Sequence, residues 1–277
     1  MFLLACAGDL EQVSVGGYHT CVLHTDSSVT CWGIEDDGRE EDERQVTNTP
    51  DEGRFTAIES GLRHICALIP GGTAVCWGDD LFDQASPPDD STWDELSLGD
   101  THTCGRKGRD VTCWGKDEEG QLEVPDGSYT AISAGSYHSC AIDTDGAIAC
   151  WGRNDSGQCD APEGDFKAVS AGGSHTCAID TDDAVRCWGS DEFGQVTTSS
   201  GVFLAVAAGG DHTCVLANDS TARCWGSDEL NQSTPIPGEY AAISAGLGHT
   251  CGLDTKGRTA ECWGENSWGQ TDPPPDD

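Results

Sequence analysis

Positive charge is scarce in this sequence. Fourteen Lys and Arg stand against 49 Asp and Glu in 277 residues, for a formal net charge of −35. Only residues 107, 116, 167 and 256 are Lys. Such a chain repels nucleic acid and anionic membranes and steers towards cationic partners. The same imbalance would also serve solubility or a saline habitat. Long apolar runs are missing as well, and none approaches the about 20 residues of a membrane-crossing helix. Helical periodicity is absent, which removes helical solenoids. Aromatic residues are only 7% and there is one Met, so the expected core is made of small residues and one Trp per repeat. No Gly-rich phosphate loop, nucleophile elbow or Ser-His-Asp grouping stands out. Carboxylates are too frequent for any pair to be singled out as catalytic.

Cysteine, by contrast, is abundant. Sixteen in a chain of this length point to an oxidising compartment. The start agrees: Leu3-Leu4-Ala5-Cys6 resembles the lipobox of bacterial lipoproteins, in which the Cys becomes lipid-modified. Only five residues precede Cys6, against about 15–30 in a whole signal peptide. Residues 1–9 are therefore read as a partial leader, with Cys6 as the expected lipidation site and a lipid chain as the only link to a membrane. The expected location is extracytoplasmic, as a cell-envelope lipoprotein or a secreted protein.

The remainder, 10–277, is one unit repeated. Cys-Trp-Gly recurs with Trp at 32, 77, 114, 151, 188, 225 and 263, spaced by 45, 37, 37, 37, 37 and 38 residues. His-x-Cys precedes each, at His19, His64, His102, His138, His175, His212 and His249. A near-constant period of this length signals a repeat architecture. The clearest copy, residues 134–152, reads as a strand end, a Gly turn, a second strand, a tight turn at Asp145-Gly146 and a third strand. Short runs such as Ala131-Ile132-Ser133-Ala134 lack polar alternation, as strands covered on both faces do. A fourth strand is expected at Leu122-Glu123-Val124, before Pro125-Asp126-Gly127. The fold class is all-β: a seven-bladed β-propeller of four-stranded antiparallel blades. An eight-residue excess in the first spacer, about 36–50, reads as an exposed acidic insertion.

With the hairpin loop at Thr144-Asp145-Gly146, Cys140 falls directly opposite Cys150, within disulfide range. One bridge per blade is expected: Cys21–Cys31, Cys66–Cys76, Cys104–Cys113, Cys140–Cys150, Cys177–Cys187, Cys214–Cys224 and Cys251–Cys262. Cys159, which replaces the apolar residue that follows Gly-Gln elsewhere (Leu122, Val196), is expected to be a buried free thiol, with a bridge to Cys6 as the alternative. His-x-Cys plus Cys supplies three soft ligands per copy where a structural zinc site needs four. Seven recurrences make the histidines structural hydrogen-bonding groups. Asp143-Thr144-Asp145-Gly146 lacks the ligand spacing of a calcium loop and reads as turn chemistry. No metal or other cofactor is expected.

The pattern Gly-x-x-His-(Thr/Ser)-Cys…Cys-Trp-Gly-x-(Asn/Asp)-x-x-Gly-Gln, best seen in 135–158, 172–195 and 246–270, resembles the regulator of chromosome condensation repeat. That resemblance implies a seven-bladed propeller. It also implies candidate roles, because the eukaryotic namesake exchanges guanine nucleotide on a small GTPase and a bacterial relative is an exported inhibitor of β-lactamases. The exchange factor's inserted β-wedge has no counterpart in the third or fourth copy here, and the paired cysteines point away from the cytosol.

Function is expected where the copies differ. The Gly-x-x-His turns and the Trp-Gly loops should share one rim. Among their variable residues, Tyr18, Leu62, Arg63, Phe82, Tyr137, Phe193, Leu230, Leu247 and Trp268 are the candidate partner-binding set. The reading is a monomeric, non-enzymatic, protein-binding scaffold whose unidentified partner has a basic surface. Guanine-nucleotide exchange, or a propeller enzyme acting on saccharide or peptide, are the alternatives.

Overall fold

The computed structural model describes residues 10–34, 44–50, 54–89 and 91–274. The leader with Cys6 and most of the acidic insertion lie outside the described residues. Seven antiparallel sheets follow one another along the chain, each of three strands in sequence order, with no helix among the described residues. They are numbered here as blades 1 to 7. Blade 4 is typical: Tyr129–Ala134, His138–Asp143 and Ile148–Gly152.

The expected fourth strand is absent. Leu122, Glu123 and Val124 lie in a turn and an irregular stretch, and the reason is local. The Leu122 N–H donates to Asp117 Oδ1 at 3.0 Å, and the Glu123 N–H donates to the Gly120 carbonyl. The backbone groups that a ladder would use are already satisfied.

The hairpin register is as the turn chemistry requires. Cys140 faces Cys150, and Ile142 faces Ile148. All seven expected disulfides form, with Cα atoms 4.0–4.1 Å apart. Cys159 is the free cysteine among the described residues. It is half-exposed rather than buried, its thiol donates to the Arg153 carbonyl, and partial burial pushes its pKa up to about 11.

A three-stranded blade has no interior, so its apolar faces are buried between blades. Typical shared clusters join Leu23 of blade 1 to Ile65 of blade 2, and Val185 of blade 5 to Phe203 and Val215 of blade 6. The core holds more aromatic surface than one Trp per blade. Phe55, Trp93, Tyr129, Phe166, Phe203 and Tyr240 are all buried at the start of a blade's first strand. Four of them lie against their own blade's Trp, at centroid distances of 5.3–6.5 Å.

Polar groups are satisfied across the same interfaces. The His Nε2 of one blade meets a Thr or Ser hydroxyl of the next at 2.7–2.9 Å, as in His138–Thr176 and His249–Thr20. Thr176 donates its own proton to the Gln158 carbonyl, so its oxygen accepts from a neutral, Nε2-protonated His138. The same Gln carbonyls accept the next blade's Trp indole N–H at 2.8–3.1 Å, in all seven blades. One link is missing: blade 2 carries Ile65 where the others have Thr or Ser, and His19 Nε2 has no partner there.

Hairpin turns supply a second belt. The N–H that opens each blade donates to a carbonyl in the preceding blade's turn, for example Phe166 to Gly146 at 2.8 Å and Phe203 to Asp183 at 3.0 Å. Gly146 and Asp183 sit at φ of 93° and 66°, the left-handed conformation that Gly and Asp tolerate. Leu10 to Gly257 closes the circle. Thr20 and Trp32 both donate to the Gln270 carbonyl, so blade 7 meets blade 1 through the full set of contacts, including the hydroxyl that the junction of blades 1 and 2 lacks.

Two predictions follow from these interfaces. Denatured but unreduced protein should release no more than the two thiols outside the pairs, Cys6 and Cys159; fourteen or more would remove the bridges from the fold. Burial also lowers the pKa of His19, His64, His138 and His249 from 6.5 to about 3, and of His102, His175 and His212 to about 4. Between pH 6.5 and 4 the unfolded chain therefore binds protons that the folded ring refuses. The histidine contribution to stability should be full above pH 6.5 and fall on acidification, by up to about 1.4 kcal/mol per pH unit for each histidine. Urea midpoints that stayed flat between pH 7 and 5 would contradict neutral buried imidazoles.

Candidate protein-binding rim

The seven Gly-x-x-His turns meet around the axis. A Cβ on Gly16, Gly61, Gly99, Gly135, Gly172, Gly209 or Gly246 would come within 2.0–2.6 Å of the next blade's glycine carbonyl. Glycine is required there by close approach rather than by its dihedral freedom. The following residue often donates its N–H to that same carbonyl, as Ser136 does to Gly172 and Gly173 to Gly209. The axial opening left inside this ring measures about 80 Å³. A small-molecule pocket is generally about 300–1,000 Å³. The mouth carries Leu62, Leu247, Ser136 and one carboxylate, Asp100, whose pKa burial raises to about 6. No group of three or more His, Cys, Asp or Glu that could hold a metal occurs among the described residues.

Turns and Trp-Gly loops do share this end of the ring. The residue after each Trp-Gly donates its N–H to the turn residue before His, as Arg153 does to Tyr137 and Ser227 to Asp211. In blades 2 to 7 each loop is then built by two side chains. An Asp or Asn three residues after Trp accepts an N–H five residues on, at 2.8–3.1 Å. The buried Gln accepts the N–H of the loop-tip residue two before it, at 2.8–2.9 Å. The residue between tip and Gln is left-handed, and is Gly, Asp83 or Asn231 in different copies. The tips are therefore held on a fixed frame while their side chains stay free to vary.

The nine candidates separate into two groups on this frame. Phe193, Leu230 and Leu247 are exposed, by 47%, 44% and 40%. The other six are half-buried, and most of them are covered by neighbours. Arg63 lies over the Tyr18 ring at 5.5 Å, and Trp268 meets the same ring edge-on at 6.4 Å. Leu62 packs on Gly17. Lys116 of blade 3 sits 4.9 Å above Phe82, and Arg153 lies 5.7 Å from the Tyr137 ring. In blade 2 the exposed tip is Leu81 instead, at 78%. A signal for it existed, since other copies have Glu118, Asp155, Glu192, Glu229 or Ser267 at that place. Val202, Leu204 and Ile236 are also exposed and were not singled out. Leu204 stands where other blades have Thr130, Lys167 and Ala241, and the Val202 carbonyl accepts from Asn218 at the hairpin end, away from the rim.

Residues 11–39, 129–158, 166–195 and 203–232 match the Regulator of chromosome condensation (RCC1) repeat. They correspond to blades 1, 4, 5 and 6; blade 7 is outside the matched segments although its strands and bridge are the same. Similar solved structures include the ectodomain of the receptor kinase CR4 from Physcomitrella patens, with 28% identity, TM-score 0.78, and coverage of 93% of this chain and 74% of that one. The CRINKLY WD40 ectodomain of ACR4 from Arabidopsis thaliana is similar at 27% identity and TM-score 0.75, covering 93% and 98%. Prp20p from Saccharomyces cerevisiae shares 18% identity at TM-score 0.69, covering 86% and 80%, an identity that carries the fold alone.

The loop frame yields a paired prediction. Gln195→Leu leaves the Phe193 N–H without its side-chain acceptor, although the backbone carbonyl that Trp225 uses remains, and should cost about 1–3 kcal/mol. Phe193→Ser, which imitates Ser156 of blade 4, should stay within about 0.5 kcal/mol. Chemical denaturation of both variants checks this, and a large loss in Phe193→Ser would make that ring structural.

Proposed function

Because the chain is a propeller of RCC1 repeats, we propose that it works as a non-enzymatic protein-binding scaffold outside the cytosol, using the rim of turns and Trp-Gly loops as its binding face. The observation that carries this reading is the division of labour within each repeat. His, Trp, Gln and Gly are constant and spent on the interfaces between blades, and the Cys pairs on the hairpins, while the tips they hold in place differ from copy to copy. Exposed Phe193 and Leu230 on such a frame have the character of interface anchors, because a preordered loop loses little entropy on binding.

Seven disulfides support an oxidising location, and two of the similar structures are receptor-kinase ectodomains. The narrow axial mouth, with its single carboxylate, gives no support to a propeller enzyme. The likeness to Prp20p is one of fold, and nucleotide exchange gains nothing further from the geometry.

The test is capture of a partner on the oxidised protein from surface extracts of its source, followed by calorimetry with variants. Phe193→Ala combined with Trp268→Ala should weaken binding by about ten-fold or more. Undiminished affinity would remove the rim as the binding face.

A further inference from the structure

The rim is not uniform around the ring, and the chain itself shows what the missing part would be. On one side, aromatic side chains are capped by cations from this same chain. Phe82, at the blade 2 tip, lies 4.9 Å beneath Lys116, the residue after Trp-Gly in blade 3. Arg153, at the same place in blade 4, lies 5.7 Å from Tyr137. Both cations are held by a carboxylate of their own loop, Glu118 and Asp155.

Phe193 is the blade 5 counterpart of Phe82. The residue that should cap it, one blade on, is Ser227 rather than Lys. Its ring is 47% exposed. The next tip, Leu230, faces a blade whose corresponding residue is Glu265. Residues 189–200, 209–211, 226–238, 246–248 and 264–274 contain no Lys or Arg. The two loops read Ser-Asp-Glu-Phe-Gly-Gln and Ser-Asp-Glu-Leu-Asn-Gln, so each exposed apolar tip directly follows two carboxylates. Asp211, in the blade 6 turn, has its pKa raised by burial and by Glu192, which places the blade 5 loop's charge against the neighbouring turn.

We infer that the blade 5–7 arc of the rim is the docking surface, and that its partner is a protein segment presenting Lys or Arg beside apolar side chains. The inference rests on the protein-binding reading above and narrows it. The partner's cation would take over Phe193 the position that Lys116 takes over Phe82, with Glu192 and Glu229 as counter-charges and Leu230 and Leu247 receiving the apolar groups. A cation over an aromatic face, flanked by carboxylates, is a geometry this fold already builds in blades 2 to 4.

The test uses the full oxidised chain and three synthetic probes: an amphipathic Lys/Leu peptide, its Glu/Leu counterpart, and an oligolysine of the same charge as the first. The Lys/Leu peptide should bind at least about ten-fold tighter than either of the others, as apolar and cationic contacts act together. Two variants add the same single charge at equivalent places. Ser227→Lys caps Phe193 from within and should weaken that binding about ten-fold, whereas Ser190→Lys, which faces the Ser156 tip, should change it less than about two-fold. Phe193→Ser should match Ser227→Lys. Equal losses in the two Lys variants would reduce the effect to bulk charge and overturn the inference, as would equal binding of oligolysine or no binding of the Lys/Leu peptide. A captured protein partner lost on Tyr137→Ser but retained on Phe193→Ser would leave the rim as the binding face and overturn its restriction to this arc.

Discussion

The hydrogen bond from a buried histidine to the hydroxyl of the next blade is the contact on which the ring depends. A three-stranded blade is all surface, and whatever polar group it hides must find its partner in a neighbour. His138 finds Thr176, Thr176 finds the Gln158 carbonyl, and Trp188 finds the same carbonyl. Each of these groups would be left an unpaired buried donor or acceptor if an apolar side chain replaced its partner in the closed ring, at about 1–3 kcal/mol apiece. The disulfides do something different. They lock each hairpin internally and leave the interfaces to polar pairing and apolar burial.

A second constraint acts through shape. The innermost glycines approach the adjacent carbonyls so closely that no side chain fits. Glu59 shows how little tolerance the inner wall has. It occupies the strand position of Ser14, Ser97, Ser133, Ser170 and Ser244, four of which accept an N–H from the next blade and one of which accepts from blade 1. Glu59 instead takes a hydrogen bond from Gln12 of blade 1. Burial, together with the charge of Glu95, lifts its pKa to about 8, so it sits in the wall as a neutral acid at ordinary pH.

Much of this was written in the spacing of the sequence. The period, the hairpin register and the cysteine pairing all follow from counting residues between Cys, Asp-Gly and Cys-Trp-Gly. The fourth strand did not, because Leu122-Glu123-Val124 has strand-like composition and the side chain that disarms it, Asp117, lies five residues away. The second aromatic of each blade was equally countable, since Tyr129, Phe166, Phe203 and Tyr240 are 37 residues apart, but the eye follows Trp. Gln45 is the least legible of all. It accepts the Trp77 indole as the other loop glutamines do for their neighbours, yet it is preceded by left-handed Arg44 instead of Gly, at the far end of the insertion. The candidate rim residues lie on the turns and Trp-Gly loops at one end of the ring. Which of them are bare could not be read, because Phe82 is capped by Lys116 of the next blade whereas Tyr137 is capped by Arg153 of its own.

Blade 7 joins blade 1 by the same carbonyls, hydroxyls and turn contacts that join the internal pairs, blades 1 and 2 excepted, where Ile65 replaces the hydroxyl, and no strand is exchanged at the junction among the described residues. Chemically, the ring has no seam where it closes. Chain order alone distinguishes that junction from the other fully paired ones, and the proximity of two ends of one molecule favours closing inward over joining a second copy. A gene encoding this ring is thus free to begin at any blade boundary: a circular permutant starting at blade 4, or two half-chains divided there, would present the same complementary edges and rebuild the same circle.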